Sequence, residues 1–80
     1  MMDIETFTRK LENEFEDVQQ GTLTPATNYR EIPEFSSMYA LIIIAFIDNE
    51  FDVLLTGDEL RKANTVQDLY DLVNSKLKNS

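Results

Sequence analysis

The side chains that could do chemistry in this chain are few. Ser36 and Ser37 form an adjacent hydroxyl pair immediately before the longest apolar run, Met38 to Ile47, ten residues without a charge. Glu12, Glu16 and Asp17 crowd one acidic stretch, and Asp48, Glu50, Asp52 and Glu59 have the positions of a calcium-loop fragment. Neither acidic set is expected to bind metal. Nothing else converges on the first, and in the second Val53 replaces the turn glycine that a calcium loop requires, with Leu54 and Leu55 following. The serines taken alone read as ordinary helix caps, because a serine oxygen accepts a hydrogen bond from an unpaired amide of the first turn. There is no Cys and no His, which excludes disulfides, thiol nucleophiles, the usual zinc sites and any Ser-His pair. The remaining carboxylates, tyrosines, lysines and serines form no catalytic constellation, so the chain is not expected to be an enzyme.

These residues must be positioned by one small domain, residues 1–80, near the lower size at which a core stands without disulfides or metal. Seven basic against fifteen acidic side chains give a net charge of −8. That balance argues against nucleic acid and anionic membrane surfaces as partners and favours basic proteins. The start, Met1-Met2-Asp3-Ile4-Glu5, has neither the positive flank nor the apolar core of a secretory signal, and a cytoplasmic setting is expected.

From Asp3 to Val18 the apolar residues Ile4, Phe7, Leu11, Phe15 and Val18 recur at steps of three and four, predicting an amphipathic helix. Gln19 to Phe35 holds Gly21, Pro25 and Pro33, three of the four Gly and Pro residues in the chain, and predicts a long connection. Connections of that length are uncommon unless functional or tied down by their own side chains; Leu23, Tyr29, Ile32 and Phe35 are the expected ties.

Phe35 to Phe51 follows, too short to cross a bilayer, which needs roughly 20 apolar residues. Its serine flank favours a buried helix. On a helical wheel Ala40, Ile43, Ile44, Ile47 and Phe51 share one stripe, while Met38, Leu41, Ile42, Ala45 and Asn49 lie opposite. A second apolar face on so small a protein must meet either another segment or a partner. Asp52 to Leu55 is a short crossing. Thr56 with Glu59 three positions on is a capping box opening a short helix to about Ala63. Thr65 with Asp68 is a related start for a last amphipathic helix, with Val66, Leu69, Tyr70, Val73 and Leu77 on one stripe and Lys76 and Lys78 in its last turn. The expected fold is therefore all-α: a bundle of three longer helices plus one short helix, with a long loop between helices 1 and 2. Phe7, Leu11, Phe15, Ile43, Ile47, Phe51, Leu69 and Val73 are its predicted core, in a monomer without stable membrane insertion.

A serine after a polar residue, then Met38, then a helix ending in Glu50-Phe51-Asp52-Val53 resembles the phosphopantetheine attachment region of acyl carrier proteins, usually Asp-Ser-Leu. Upstream, Thr27-Asn28-Tyr29-Arg30-Glu31-Ile32 followed by Phe35-Ser36-Ser37-Met38 is similar to the loop pattern of that family. Downstream, Gly57-Asp58-Glu59-Leu60 and Thr65-Val66-Gln67-Asp68-Leu69 are similar to its third and fourth helix starts, so the resemblance spans the whole chain. Ser36 stands where the family has Asp, and Met38 where it has Leu.

The resemblance implies an acyl-carrier-like fold and a carrier function: Ser37, aligned with the modified serine when Phe51 is placed on the phenylalanine that follows the family's helix, takes a phosphopantetheine arm from coenzyme A and carries acyl intermediates as thioesters. It implies a phosphopantetheinyl transferase and acyl-transferring or condensing enzymes of fatty acid, polyketide or related biosynthesis as partners. Carriage of an activated amino acid such as D-alanine, or a helical adaptor without prosthetic group, are the alternatives. Where the family is often acidic along the helix after the serine, the outward positions here are apolar. Partner contact is accordingly expected at Ser36, Met38, Leu41, Ile42 and Ala45, with Asp48 and Glu50 at the far end.

Overall fold

A computed structural model describes residues 2–15, 18–19, 21–31 and 39–78. Helix α1 runs over Ile4–Asn13, α2 over Tyr39–Phe51, α3 over Gly57–Lys62 and α4 over Val66–Lys78; the connection between α1 and α2 contains a short 3-10 turn at Tyr29–Glu31. No strand occurs among the described residues, and the fold is a small all-α bundle. No described helix is long and apolar enough to cross a membrane.

Asp3 caps α1, its carboxylate accepting from the Thr6 N–H at 2.8 Å. The helix stops at Asn13 rather than continuing to Val18 as the periodicity predicts. Its hydrogen bonds tighten at that point: the N–H groups of Glu14, Phe15 and Val18 donate three residues back, to Leu11, Glu12 and Phe15. Phe15 and Val18 are buried nonetheless, since a three-residue spacing still returns them to the same side.

The core is built around Phe7. Its ring lies 5.9 Å from Phe46 and 5.8 Å from Phe51 in α2, and 5.4 Å from Tyr70 in α4, so one α1 side chain joins three helices. Phe7, Leu11, Ile43, Ile47, Leu69 and Val73 are fully buried and Phe15 nearly so. Phe51 departs from its predicted place. It is only partly buried, and so are Ala40 and Ile44, while Phe46 is inside. One rotation explains all four: at 100° per residue the buried face of α2 is turned by roughly 60° from the predicted stripe, towards Phe46. The ring of Phe46 fits against Phe7, and the helix turns to bring it there.

The downstream starts are as predicted. Thr56 Oγ1 accepts from the Glu59 N–H at 3.1 Å while Glu59 Oε1 accepts from the Thr56 N–H at 3.0 Å. At α4, Thr65 Oγ1 accepts from the Asp68 N–H at 3.1 Å and Asp68 Oδ2 accepts from the Thr65 N–H at 3.2 Å. The connection supplies what these caps leave open: the carbonyls of Thr27 and Pro25 accept from the N–H groups of Val66 and Gln67 at 3.2 and 2.8 Å. Leu23 and Tyr29 are fully buried, as ties should be. Ile32 and Phe35 lie outside the described residues.

Candidate functional site

Ser36, Ser37 and Met38 lie outside the described residues, so the site is bounded by what flanks it. On the near side is Tyr39, the first residue of α2. Its ring lies 5.9 Å from that of Tyr29, which is held in turn by a hydrogen bond from its hydroxyl to the Ala63 carbonyl at 3.0 Å. The first described turn of α2 holds no acidic side chain and its last turn no basic one, so neither described end turn complements the helix dipole with a charge of its own.

Along α2 the expected contact positions divide. Leu41 is 61% exposed and is one of two large apolar side chains in that state among the described residues. Ala45, Asp48 and Glu50 are exposed too. Ile42 is not free: it is half-buried and packs against the core, because the rotation towards Phe46 carries its neighbour on the wheel inward. Glu50 has a basic neighbour that the sequence did not point to, Lys10 of α1, with Nζ 3.4 Å from Oε2.

Beyond the helix, Asp52 adopts a left-handed backbone with φ 56° and ends α2, its N–H donating to the Asp48 carbonyl at 3.0 Å. The chain then extends, and side chains alternate: Val53 and Leu55 are buried while Leu54 is 72% exposed. Leu54 was not among the expected contact residues. The signal that finds it is the period of two in an extended stretch.

Several acidic groups elsewhere are engaged structurally. Glu12 is 1% exposed, with Oε1 2.8 Å from Arg9 Nη1 and Oε2 accepting from the N–H groups of Gly21 and Leu23 at 2.9 and 2.7 Å. Glu16 and Asp17 lie outside the described residues, and among the described residues no three potential ligands gather to hold a metal ion. Glu59 Oε2 meets Lys76 Nζ at 2.6 Å, and this bond, with the Thr56 N–H, holds its carboxyl below the usual carboxylate range. The backbone and side chain of Thr6 do the same for Asp3. An open groove of about 460 Å³ between α3 and α4 is lined by Glu59, Lys62, Ala63, Asp68, Asp71 and Leu72. Asp68 caps α4 and Asp71 accepts from the Gln67 side chain, so these carboxylates too are spoken for.

No family model matches the chain, and no solved structure matches it. The functional reading rests on the residues themselves. Leu41, Ala45, Asp48 and Glu50 are exposed along α2, apolar near its start and acidic at its end, and Ser37 stands two positions before Tyr39 in the chain. A surface of that kind can bind a partner by apolar contact and orient it by charge. Phosphopantetheine requires of the chain only one hydroxyl and a nearby surface for the modifying enzyme; Ser37 supplies the first by type, and the exposed face of α2 fits the second.

Proposed function

We propose that the protein is an acyl carrier whose Ser37 accepts a phosphopantetheine arm. The Ser37 oxygen would bond to the phosphorus of coenzyme A as the pyrophosphate link breaks and the nucleotide half leaves, with the hydroxyl proton passing to the transferase. The bound arm supplies a terminal thiol that holds acyl groups as thioesters, the one reactive sulfur in a protein without cysteine.

The observation that supports this reading most directly is the exposed face of α2. Two peptide links separate Ser37 from Tyr39, a reach of at most about 7 Å, so an enzyme acting at Ser37 meets Leu41 and Ala45 next. The dipole at the start of a helix favours a phosphate by about 0.3 to 1 kcal/mol, and α2 has no first-turn carboxylate among its described residues to oppose it. Covering an apolar side chain such as Leu41 contributes about 1.5 to 3 kcal/mol, against about 0.2 to 1 kcal/mol for an exposed charge pair. Apolar contact therefore dominates affinity, and Asp48 and Glu50 steer the encounter with a basic partner.

The test is incubation with coenzyme A, magnesium and a broad-specificity transferase, read by mass spectrometry. Ser37→Ala abolishes the mass increase and Ser36→Ala retains it; the reverse pattern moves the site to Ser36. A second reading, a helical adaptor without prosthetic group, is favoured by the exposure of Leu54 beside that of Leu41. It is the reading left standing if the wild-type mass does not change.

A further inference from the structure

Leu23, in the connection between α1 and α2, is held at three points. Its side chain is fully buried, its N–H donates to Glu12 Oε2 at 2.7 Å and its carbonyl accepts from Arg9 Nη2 at 3.2 Å. Arg9 and Glu12 are themselves joined at 2.8 Å. One turn of α1 thus takes both polar groups of a single loop residue, as a neighbouring strand would, and the Gly21 N–H adds a further bond to Glu12. Gly21 has φ +94°, the backbone that turns its amide towards the carboxylate without side-chain strain.

An ion pair with one buried partner, as Glu12 is here, is weak grounds for stability, since apolar side chains of similar size often do as well. What an apolar residue at position 12 cannot do is fix the Leu23 amide. The connection carries that constraint onward. The Thr24 N–H donates to Thr27 Oγ1 at 2.9 Å, the Pro25 and Thr27 carbonyls are bonded to the start of α4, and Tyr29 is bonded to Ala63 with its ring tilted against that of Tyr39. The chain of contacts runs from α1 to the first described residue of α2.

We propose that Arg9 and Glu12 are a positioning pair for the start of α2, setting the place at which Tyr39 and the turn that follows it meet a modifying enzyme. The inference rests on the carrier reading only for the identity of that enzyme, one acting at Ser37. The experiment measures amide exchange and chemical shifts on the full chain, alongside modification kinetics with coenzyme A, magnesium and a transferase. In Glu12→Gln one oxygen can still serve the loop amides, but the side-chain amide then faces the Arg9 guanidinium, donor against donor. Arg9→Met combined with Glu12→Gln removes that conflict.

Glu12→Gln is expected to speed exchange at Leu23 and shift the Tyr29 and Tyr39 amides. If the start of α2 then holds its binding-competent place about a tenth of the time, the KM for the carrier rises about tenfold with kcat nearly unchanged, and the double variant restores most of that loss. Faster exchange at Leu23 with Tyr39 shifts and KM both unmoved overturns the proposal, leaving the pair a local tie. Wild-type protein that is never modified while Glu12→Gln still shifts Tyr39 sinks the carrier reading and supports the positioning. Should Glu12→Gln fail to fold, Arg9→Met alone carries the same comparison, because it removes the bond to the Leu23 carbonyl and leaves both amide bonds of Glu12; no movement at Tyr39 in that variant overturns the proposal equally.

Discussion

Helices α2 and α4 each contain thirteen residues, yet they solve opposite problems. In α4 the apolar residues form one stripe, with Val66, Leu69 and Val73 fully buried, and its start is closed by Thr65, Asp68 and two loop carbonyls. In α2 apolar side chains lie all round, neither described end turn carries a charge that complements the dipole, and Leu41 stands in solvent. The buried stripe and the cap of α4 serve the fold. In α2 the described residues leave Leu41 and Ala45 exposed on the outer face. An apolar surface that the domain does not itself use is where contact with another molecule gains most.

The sharpest way to break this contrast is to put a carboxylate on each helix. Val73→Asp places an unpaired charge in the core and should remove more than about 4 kcal/mol, comparable with the whole stability of such a domain; a folded circular dichroism spectrum with an unchanged urea midpoint would refute the assignment of that face. Next in size, Ile47→Ala on the inner side of α2 should cost about 2 to 5 kcal/mol as a cavity, read as a lowered midpoint at constant slope. Thr65→Ala removes the α4 cap and should cost about 0.5 to 2 kcal/mol.

A smaller effect is expected from acid. The carboxyls of Glu59 and Asp3 are held below their usual range in the folded state by Lys76 with Thr56, and by Thr6. Their contribution is complete above the unfolded values and is lost as pH falls through the lowered folded ones, a loss that sets in below about pH 4.3. Urea midpoints between about pH 5 and pH 3 should fall less steeply for Glu59→Gln than for wild type. Equal slopes would show that the Lys76 bond is not made in solution. Smallest of all, Leu41→Asp should leave stability within about 0.5 kcal/mol of wild type while it weakens partner binding, which isothermal titration with the transferase would read. Unfolding of that variant would mean Leu41 is covered, and the contrast between the two faces would collapse.

The same contrast separates what was legible from what was not. The stripe of α4, both capping pairs and the buried ties Leu23 and Tyr29 follow from residue types at fixed local spacings, and each is where the sequence predicts it. The rotation of α2 was not legible, because a helix with apolar residues on every side has no polar face to say which way it turns. Phe46 was therefore missed, Phe51 was placed too deep and Ile42 too far out. The end of α1 was hidden for a related reason: Phe15 and Val18 keep the apolar rhythm after the helical bonds have stopped. Of the candidate site, Leu41, Ala45, Asp48 and Glu50 were legible as an outward face, whereas Lys10 beside Glu50 and the exposure of Leu54 were not.

By itself, then, the sequence determined the order of the α-helices among the described residues, the caps of α3 and α4 and most of the core, since these depend on periodicity and on bonds within four residues. Tertiary structure alone decided how α2 turns about its axis and which loop amides a buried Glu12 receives. Those choices compare contacts between residues far apart in the chain, Phe7 with Phe46 and Glu12 with Leu23, and no local spacing records which distant partner packs best.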